Sequence, residues 1–187
     1  TTLSGDIGAV GNNGDNSYHV IFTNNNGLTN TAILDGFTIT GGNANLYPSN
    51  HTGGGMYNSY SSPAVTNCRF SGNSTSDAGG GMYNESSSPK VTNCIVAGNT
   101  DLTEPSEHPK WPDFYGEVTS LGGNLIGDDT GSTGWLARDM VGTSAAPIDP
   151  LLGLLDVYAP GKTPTFPLLA GTPAIDSVVC IGSVTPA

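Results

Sequence analysis

The sequence predicts an all-β solenoid, a single-stranded parallel β-helix, and three observations lead there. The first is an internal repeat. Residues 53–73, GGGMYNSYSSPAVTNCRFSGN, return at 79–99 as GGGMYNESSSPKVTNCIVAGN without an insertion. Self-similarity of this kind marks a unit that buries its apolar face by stacking on copies of itself. The second is what fills the unit: Val65, Thr66, Cys68 and Phe70 in one copy, and Val91, Thr92, Cys94, Ile95 and Val96 in the other, in short runs bounded by Gly, Ser, Pro and Asn. That is strand-and-turn composition, and no window carries apolar residues at helical spacing over three turns. The third is the period. Gly53 to Gly79 and Cys68 to Cys94 each span 26 residues, too few for a propeller blade and without a leucine-rich-repeat pattern. One coil of two or three strands, each of about four or five residues, fits that length.

Taken in order, residues 1–7, TTLSGDI, read as the end of a coil above, and residues 18–23, YHVIFT, as the strand that follows. Residues 33–43, ILDGFTITGGN, align with 64–73 after one inserted glycine, placing Leu34, Phe37 and Ile39 on the rows of Val65, Cys68 and Phe70. Roughly four coils therefore precede residue 100. Neighbouring coils lie about 4.8 Å apart, so equivalent residues form ladders along the axis. Met56 is expected on Met82, Val65 on Val91, Cys68 on Cys94 and Phe70 on Val96, all pointing inward. Tyr57 and Tyr83 are expected to stack outside, while Asn58 over Asn84 and Asn67 over Asn93 form amide ladders at the turns. The triple glycines supply positive φ or close backbone approach where the coil bends. Residues 101–116, DLTEPSEHPKWPDFYG, break the rhythm with three prolines and most of the local charge, and read as a loop projecting from the wall.

These motifs resemble right-handed parallel β-helix proteins of the pectate-lyase-like superfamily, in particular the bacterial surface and secreted group with GGG-apolar-YN and SPxVTNCxFxGN coils. Residues 117–176 resemble the closing region called the choice-of-anchor Q domain, on GGNLIG at 122–127, DPLLG at 149–153 and TPTFPLLAGTPAID at 163–176. The resemblance covers nearly the whole chain and is specific for fold, far less so for activity. Two departures stand out: LLDVYAPGK at 154–162 replaces a glycine-rich approach, and Ser177 follows Asp176 where that family commonly has Ala-Gly. The resemblance implies a right-handed coil, in line with the usual hand of parallel β crossovers, and an extracellular or cell-surface, secreted protein. The expected organisation is one domain over 1–187: regular coils over 1–100, the loop over 101–116, the closing region over 117–176 and a strand or tail over 177–187.

Composition bounds the setting. The chain has 187 residues, 36% hydrophobic, enough for one domain with a narrow core. Charged residues make up only 11%, against about 25% in ordinary soluble domains, so Asn, Ser, Thr and Gly solvate the surface. A formal charge of −11 with five Lys plus Arg argues against a nucleic-acid partner, because so few cations cannot track phosphates. No run approaches 18 consecutive apolar residues, which excludes helical membrane insertion. Thr1 opens directly in a β-like run, read as a processed or trimmed N-terminus. Sequons at Asn50, Asn73 and Asn84 are read as by-products of Asn- and Ser-rich turns. Cys68 and Cys94 fall within disulfide range on adjacent coils, but their Cβ vectors run parallel, which favours free thiols over a bridge; Cys180 has no repeat partner.

No catalytic residue, cofactor or metal ligand is assigned. The resemblance implies that an enzyme of this kind would hold Ca²⁺ on clustered carboxylates beside an Arg or Lys base. Arg69 and Lys90 stand at non-equivalent positions with no Asp ladder beside them, and the one adjacent acidic pair, Asp128 and Asp129, lies in a Gly/Thr turn context. His19, His51 and His108 show no metal-ligand spacing, and the glycine units lack the aspartate of calcium-binding repeats, so any bound Ca²⁺ is expected to be incidental. Trp111, Tyr115 and Trp135 are candidates for stacking on sugar rings. A solenoid exposes unpaired edges at both ends, and no amphipathic helix precedes the first coil to cover it. The expected function is therefore that of a non-enzymatic structural subunit, a homo-oligomer or filament built head to tail. The alternative is a carbohydrate-binding or polysaccharide-degrading module. Residues 177–187, SVVCIGSVTPA, carry no charge; Val178, Val179, Cys180, Ile181 and Val184 are expected either to fold back along their own solenoid or to add as a strand to the next subunit.

Overall fold

The computed structural model describes residues 1–103, 109–162 and 164–174. The chain divides into two compact units, Thr1–Ile148 and Asp149–Ala187; the boundary falls inside the stretch 117–176 that the sequence groups as one closing region. The run at 177–187, with Val178, Val179, Cys180, Ile181 and Val184, lies outside the described residues, as does His108.

The first unit is a solenoid of short parallel strands. After β1 (Thr2–Ser4), the first full coil holds β2 (Ile21–Asn24), β3 (Ile33–Asp35), β4 (Thr38–Thr40) and β5 (Asn43–Ala44). The second holds β6 (Met56–Ser59), β7 (Ala64–Thr66), β8 (Arg69–Phe70) and β9 (Ser74–Thr75), and the third β10 (Met82–Glu85), β11 (Lys90–Thr92), β12 (Ile95–Val96) and β13 (Thr100–Asp101). Then come β14 (Phe114–Glu117), β15 (Thr119–Gly122), β16 (Leu125–Ile126), β17 (Ser132–Thr133) and β18 (Met140–Val141). Equivalent strands stack into four sheets, ordered β1-β4-β8-β12-β16-β18, β17-β14-β10-β6-β2, β15-β11-β7-β3 and β13-β9-β5. The only helical element among the described residues is the 3-10 turn Asn13–Asp15.

Each full coil thus contains four strands of two to four residues, where the sequence predicts two or three longer ones. The reason is the corners. Gly36, Asn67, Asn93 and Gly123 follow the third-sheet strands β3, β7, β11 and β15 with φ of 77°, 52°, 52° and 75°, and a left-handed residue ends a strand. At this corner Asn67 Nδ2 donates to Asp35 Oδ1 at 2.8 Å and Asn93 Nδ2 to Asn67 Oδ1 at 3.4 Å. The triple glycines serve two needs. Gly53 and Gly79 have φ of 70° and 65°, while a Cβ on Gly55 would collide with the carbonyl oxygen of Gly81 in the next coil.

The core is the stack of inward rows. Met56 pairs with Met82, Val65 with Val91 and Phe70 with Val96, and all six are buried together with Cys68 and Cys94. Upstream, Leu34 pairs with Val65 and Ile39 with Phe70. The alignment there needs no inserted glycine: Asn43 pairs with Ser74, and the Gly42 amide donates to Asn73 Oδ1 at 3.0 Å, so Gly42 stands where Asn73 stands one coil on. Asn58 and Asn84, placed by the sequence at turns, lie instead inside β6 and β10, where both are buried. The interruption over 101–116 is shorter than predicted, because it begins in β13 and ends in β14.

The second unit contains an antiparallel pairing of its own. Isolated bridges join Leu152 to Leu168 and Asp156 to Thr165, with backbone bonds from the Gly153 amide to the Pro167 carbonyl (2.8 Å) and from Leu169 to Leu151 (2.9 Å). Among its described residues only Pro150 and Thr172 are buried, joined by a 2.6 Å bond from Thr172 Oγ1 to the Pro150 carbonyl.

Candidate functional site

Two surfaces of the first unit depart from simple repetition. One is its N-terminal end. The strands β2 and β3 are outermost in their sheets, and β1 covers β4 alone. Between the two open edges lies an apolar depression of about 140 Å³ bounded by Ile21, Leu28, Ile33, Leu34, Met56 and Pro63. Ile33 is 66% exposed and Phe22 53%. At the other end the interior turns polar. Asn124 takes the place of Cys68 and Cys94: its Oδ1 accepts from the Cys94 amide at 3.0 Å, and its Nδ2 donates to Asp139 Oδ1 at 3.0 Å. Asp139 Oδ2 in turn accepts from Ser120 Oγ at 2.6 Å and from the Leu136 amide at 2.7 Å.

The other surface is a groove of about 440 Å³ on the outer wall. Four residues connect β6 to β7 and four connect β10 to β11, but eight, 25–32, connect β2 to β3. The extra residues form one wall, held by the Ser62 amide donating to the Leu28 carbonyl at 2.7 Å and Ser61 Oγ to Asn26 Oδ1 at 2.5 Å. The floor carries Ser62, Ser86, Ser88 and Lys90. At its rim Tyr60 is 61% exposed and has φ 48°, like Asn25 and Ser86 at the equivalent corners. A small polar residue tolerates that conformation; for a bulky one it is a strained outlier.

The predicted outer stack exists and is longer than the repeat implies. Phe22, Tyr57, Tyr83 and Tyr115 occupy one row, with ring centroids 5.2, 5.5 and 5.1 Å apart and interplanar angles of 16°, 8° and 6°. His19 stacks on Phe22 at 5.1 Å, and Trp111 leans on Tyr115 at 4.9 Å. Tyr57 Oη donates to Glu85 Oε2 at 3.0 Å. Burial first, and then Glu85, raise the Tyr57 phenol; burial and the Glu85 charge push Tyr83 up to about 12. Rings stacked face on face leave edges and hydroxyls for solvent, a poor platform for a sugar ring. Tyr115 and Trp111, predicted on a projecting loop, thus lie on the wall: Tyr115 is in β14, and Trp111 bridges to Ala78. Trp135 packs edge-on against buried Phe114 at 5.0 Å and is itself half-buried.

Other polar residues named by the sequence are held inside the wall. Thr23 Oγ1 donates to Asn58 Oδ1, Asn58 Nδ2 to Asn84 Oδ1, each at 2.8 Å, and Asn84 Nδ2 to the Glu117 carbonyl at 2.9 Å. A second chain, missed although the repeat contains it, runs from Asn73 Nδ2 to Asn99 Oδ1 and from Asn99 Nδ2 to Asp113 Oδ1, both at 2.9 Å. The sequon asparagines Asn73 and Asn84 are therefore buried and bonded, unlike half-exposed Asn50. Cys68 and Cys94 are free thiols; the bond to Cys68 and then burial raise the Cys94 thiol, which stays protonated.

The acids and histidines are dispersed. Asp113 accepts from Asn99 and from the Asp128 amide at 2.9 Å, and burial pushes its carboxyl up to about 6 against those donors. Asp128 accepts from the Thr130 amide at 2.9 Å, and burial raises Asp129. Arg69 and Lys90 stand on different sheets, in β8 and β11. His51 Nε2 pairs with Asp77 Oδ2 at 3.1 Å, and His19 Nδ1 meets the Gly53 carbonyl at 3.0 Å. Among the described residues no group of three or more His, Cys, Asp or Glu is placed to hold a metal ion, and no helix is long and apolar enough to cross a membrane. Compared with protein-family models, curated proteins and solved structures, the chain finds no match.

Proposed function

We propose that this chain is a non-enzymatic structural protein of the cell exterior, a right-handed β-helix of the pectate-lyase-like kind whose copies associate head to tail into a filament or surface layer. The observation that carries this reading is the stack of coils itself, whose outermost described strands β2 and β3 present edges beside an apolar depression. Unpaired edges recruit further strands, and exposed apolar cross-sections recruit cover. The ladders support the same reading, because they commit the repeated side chains to holding coil on coil. Copies carry a net charge of −11, so their association is expected to strengthen with salt as like-charge repulsion is screened. Sedimentation velocity checks this: the mass should rise with protein concentration, and more steeply in high salt. A single monomeric species under all conditions would refute the reading.

A second reading, binding of an extracellular polysaccharide, is favoured by the groove under Tyr60. Insertions in one repeat tend to line binding faces. A strained, exposed tyrosine beside serine hydroxyls and Lys90, which makes no ion pair among the described residues, offers a ring face, hydrogen bonds and one positive charge. Affinity electrophoresis in gels cast with neutral or uronate polysaccharides tests it. Retardation is expected to vanish in Tyr60→Asn while stability rises by about 1 kcal/mol on relief of the strained φ; retardation unchanged by that substitution dismisses the groove.

A further inference from the structure

We infer that Cys68 and Cys94 form a two-coordinate site for a soft metal ion of the copper(I) type, held between two coils just inside the wall. The two thiols are placed alike by their surroundings. Cys68 Sγ donates to the Thr66 carbonyl at 3.1 Å and lies 3.6 Å from the Leu34 carbonyl one coil back. Cys94 Sγ donates to the Thr92 carbonyl at 3.2 Å and lies 3.5 Å from that of Val65. Leu34 pairs with Val65 and Thr66 with Thr92, so the second set of partners is the first moved on by one coil. The two sulfurs are therefore separated by the coil spacing, about 4.8 Å.

That separation decides what can join them. A disulfide needs sulfurs about 2.05 Å apart, so at least one thiol would have to swing out of the row. Two metal–thiolate bonds of about 2.3 Å laid in line span about 4.6 Å, close to the spacing already present. A closed-shell ion such as copper(I) accepts two ligands in line, needs no third residue, and prefers thiolates. Binding releases both S–H protons to solvent and forms two sulfur–metal bonds, with no change of oxidation state. One negative charge is then left on the pair, and backbone amides meet it. The Cys68 amide faces Cys94 Sγ at 3.5 Å, and the Phe37 amide stands in the same relation to Cys68 Sγ; such donors favour a charged sulfur. Both thiols are buried, yet each directly follows an exposed corner residue, Asn67 or Asn93, so local opening of the corner is enough to admit the ion.

The test uses Cys180→Ser, which leaves Cys68 and Cys94 as the only thiols of the chain, and copper(I) offered from a colorimetric chelator without oxygen. One ion per chain should leave the chelator, and X-ray absorption should show two sulfur neighbours and no nitrogen or oxygen. The thermal midpoint should rise with the free ion. Adding Cys68→Ala or Cys94→Ala should weaken copper(I) binding by roughly tenfold or more, with circular dichroism reporting the fold. Diamide, an oxidant that converts neighbouring thiols to disulfides, should leave both thiols of the native protein titratable. No uptake, three or more ligands on the metal, uptake that survives loss of either thiol, or a Cys68–Cys94 bridge formed in the native protein would each overturn the inference. Where an alanine variant does not fold, the absorption spectrum and the diamide reaction of the Cys180→Ser chain decide it.

Discussion

Single residues in this wall are chosen for what lies one coil above and below. Asn73 and Asn99 each bind the next amide along the axis, and the row ends on a carboxylate, Asp113, that receives the Asn99 amide, the Asn99 side chain and the Asp128 amide. An amide can both donate and accept, so it can be repeated; a carboxylate accepts only, so it terminates the row. Burial outweighs the three donors and holds Asp113 near 6, above its unfolded value, so the folded state takes up a proton first. Stability contributed by this group is then greatest below about pH 4 and falls as pH rises through about 6, by up to ~3 kcal/mol. Denaturant midpoints at pH 4 and pH 7 check the sign: the drop between them should shrink in Asp113→Asn. An equal drop in both proteins would mean that the carboxyl is not the source.

At the scale of the strand, each element is too short to be stable alone and depends on its register with neighbours. In β11, Val91 points inward between Val65 and the Ser120 position, fully buried, while Lys90 points outward into the groove. Val91→Asp would bury an unpaired charge between coils and should cost several kcal/mol, about 3 or more. Lys90→Ala touches no core atom and should change stability by about 0.5 kcal/mol or less. Urea denaturation of the two variants measures the difference, and comparable losses would contradict the inward and outward assignment. The eight-residue connection from β2 to β3 follows another logic. It keeps the strand register on both sides, so its extra length is free to build a wall, and Leu28 from it also covers part of the open end.

At the scale of the molecule, the two ends of the solenoid differ in kind. The C-terminal coil of the first unit replaces a buried thiol with Asn124 and closes over Asp139, whereas the N-terminal coil leaves Ile21, Leu34 and Ile33 beside open strand edges. A stack of identical coils has no intrinsic stop, so its ends must be sealed by polar groups or by another surface. With 16 Asp plus Glu against five Lys plus Arg, copies of the chain repel one another, which is why the salt response serves as a test of assembly.

The amino-acid sequence by itself determined the coil period and the inward rows, because two copies without insertion align every equivalent residue, from Met56 over Met82 to Phe70 over Val96, and stacking then leaves no freedom of register. It also implied the Tyr57 and Tyr83 stack. Only the tertiary structure decided where the repetition fails. The corner asparagines shorten the strands, Gly42 substitutes for Asn73 without a gap, and Asn58 lies inside a strand, since φ at a corner and burial of an amide depend on the coil beneath rather than on local composition. Trp111 and Tyr115 read as loop aromatics because prolines and charges surround them, yet the neighbouring coil draws Tyr115 into the stack, and Phe114 draws Trp135, which follows that stretch, toward the core. The open end, the groove under Tyr60 and the antiparallel pairing of the second unit have no counterpart in the repeat. Each arises where residues distant in the chain meet or fail to meet, and that is settled by packing in three dimensions.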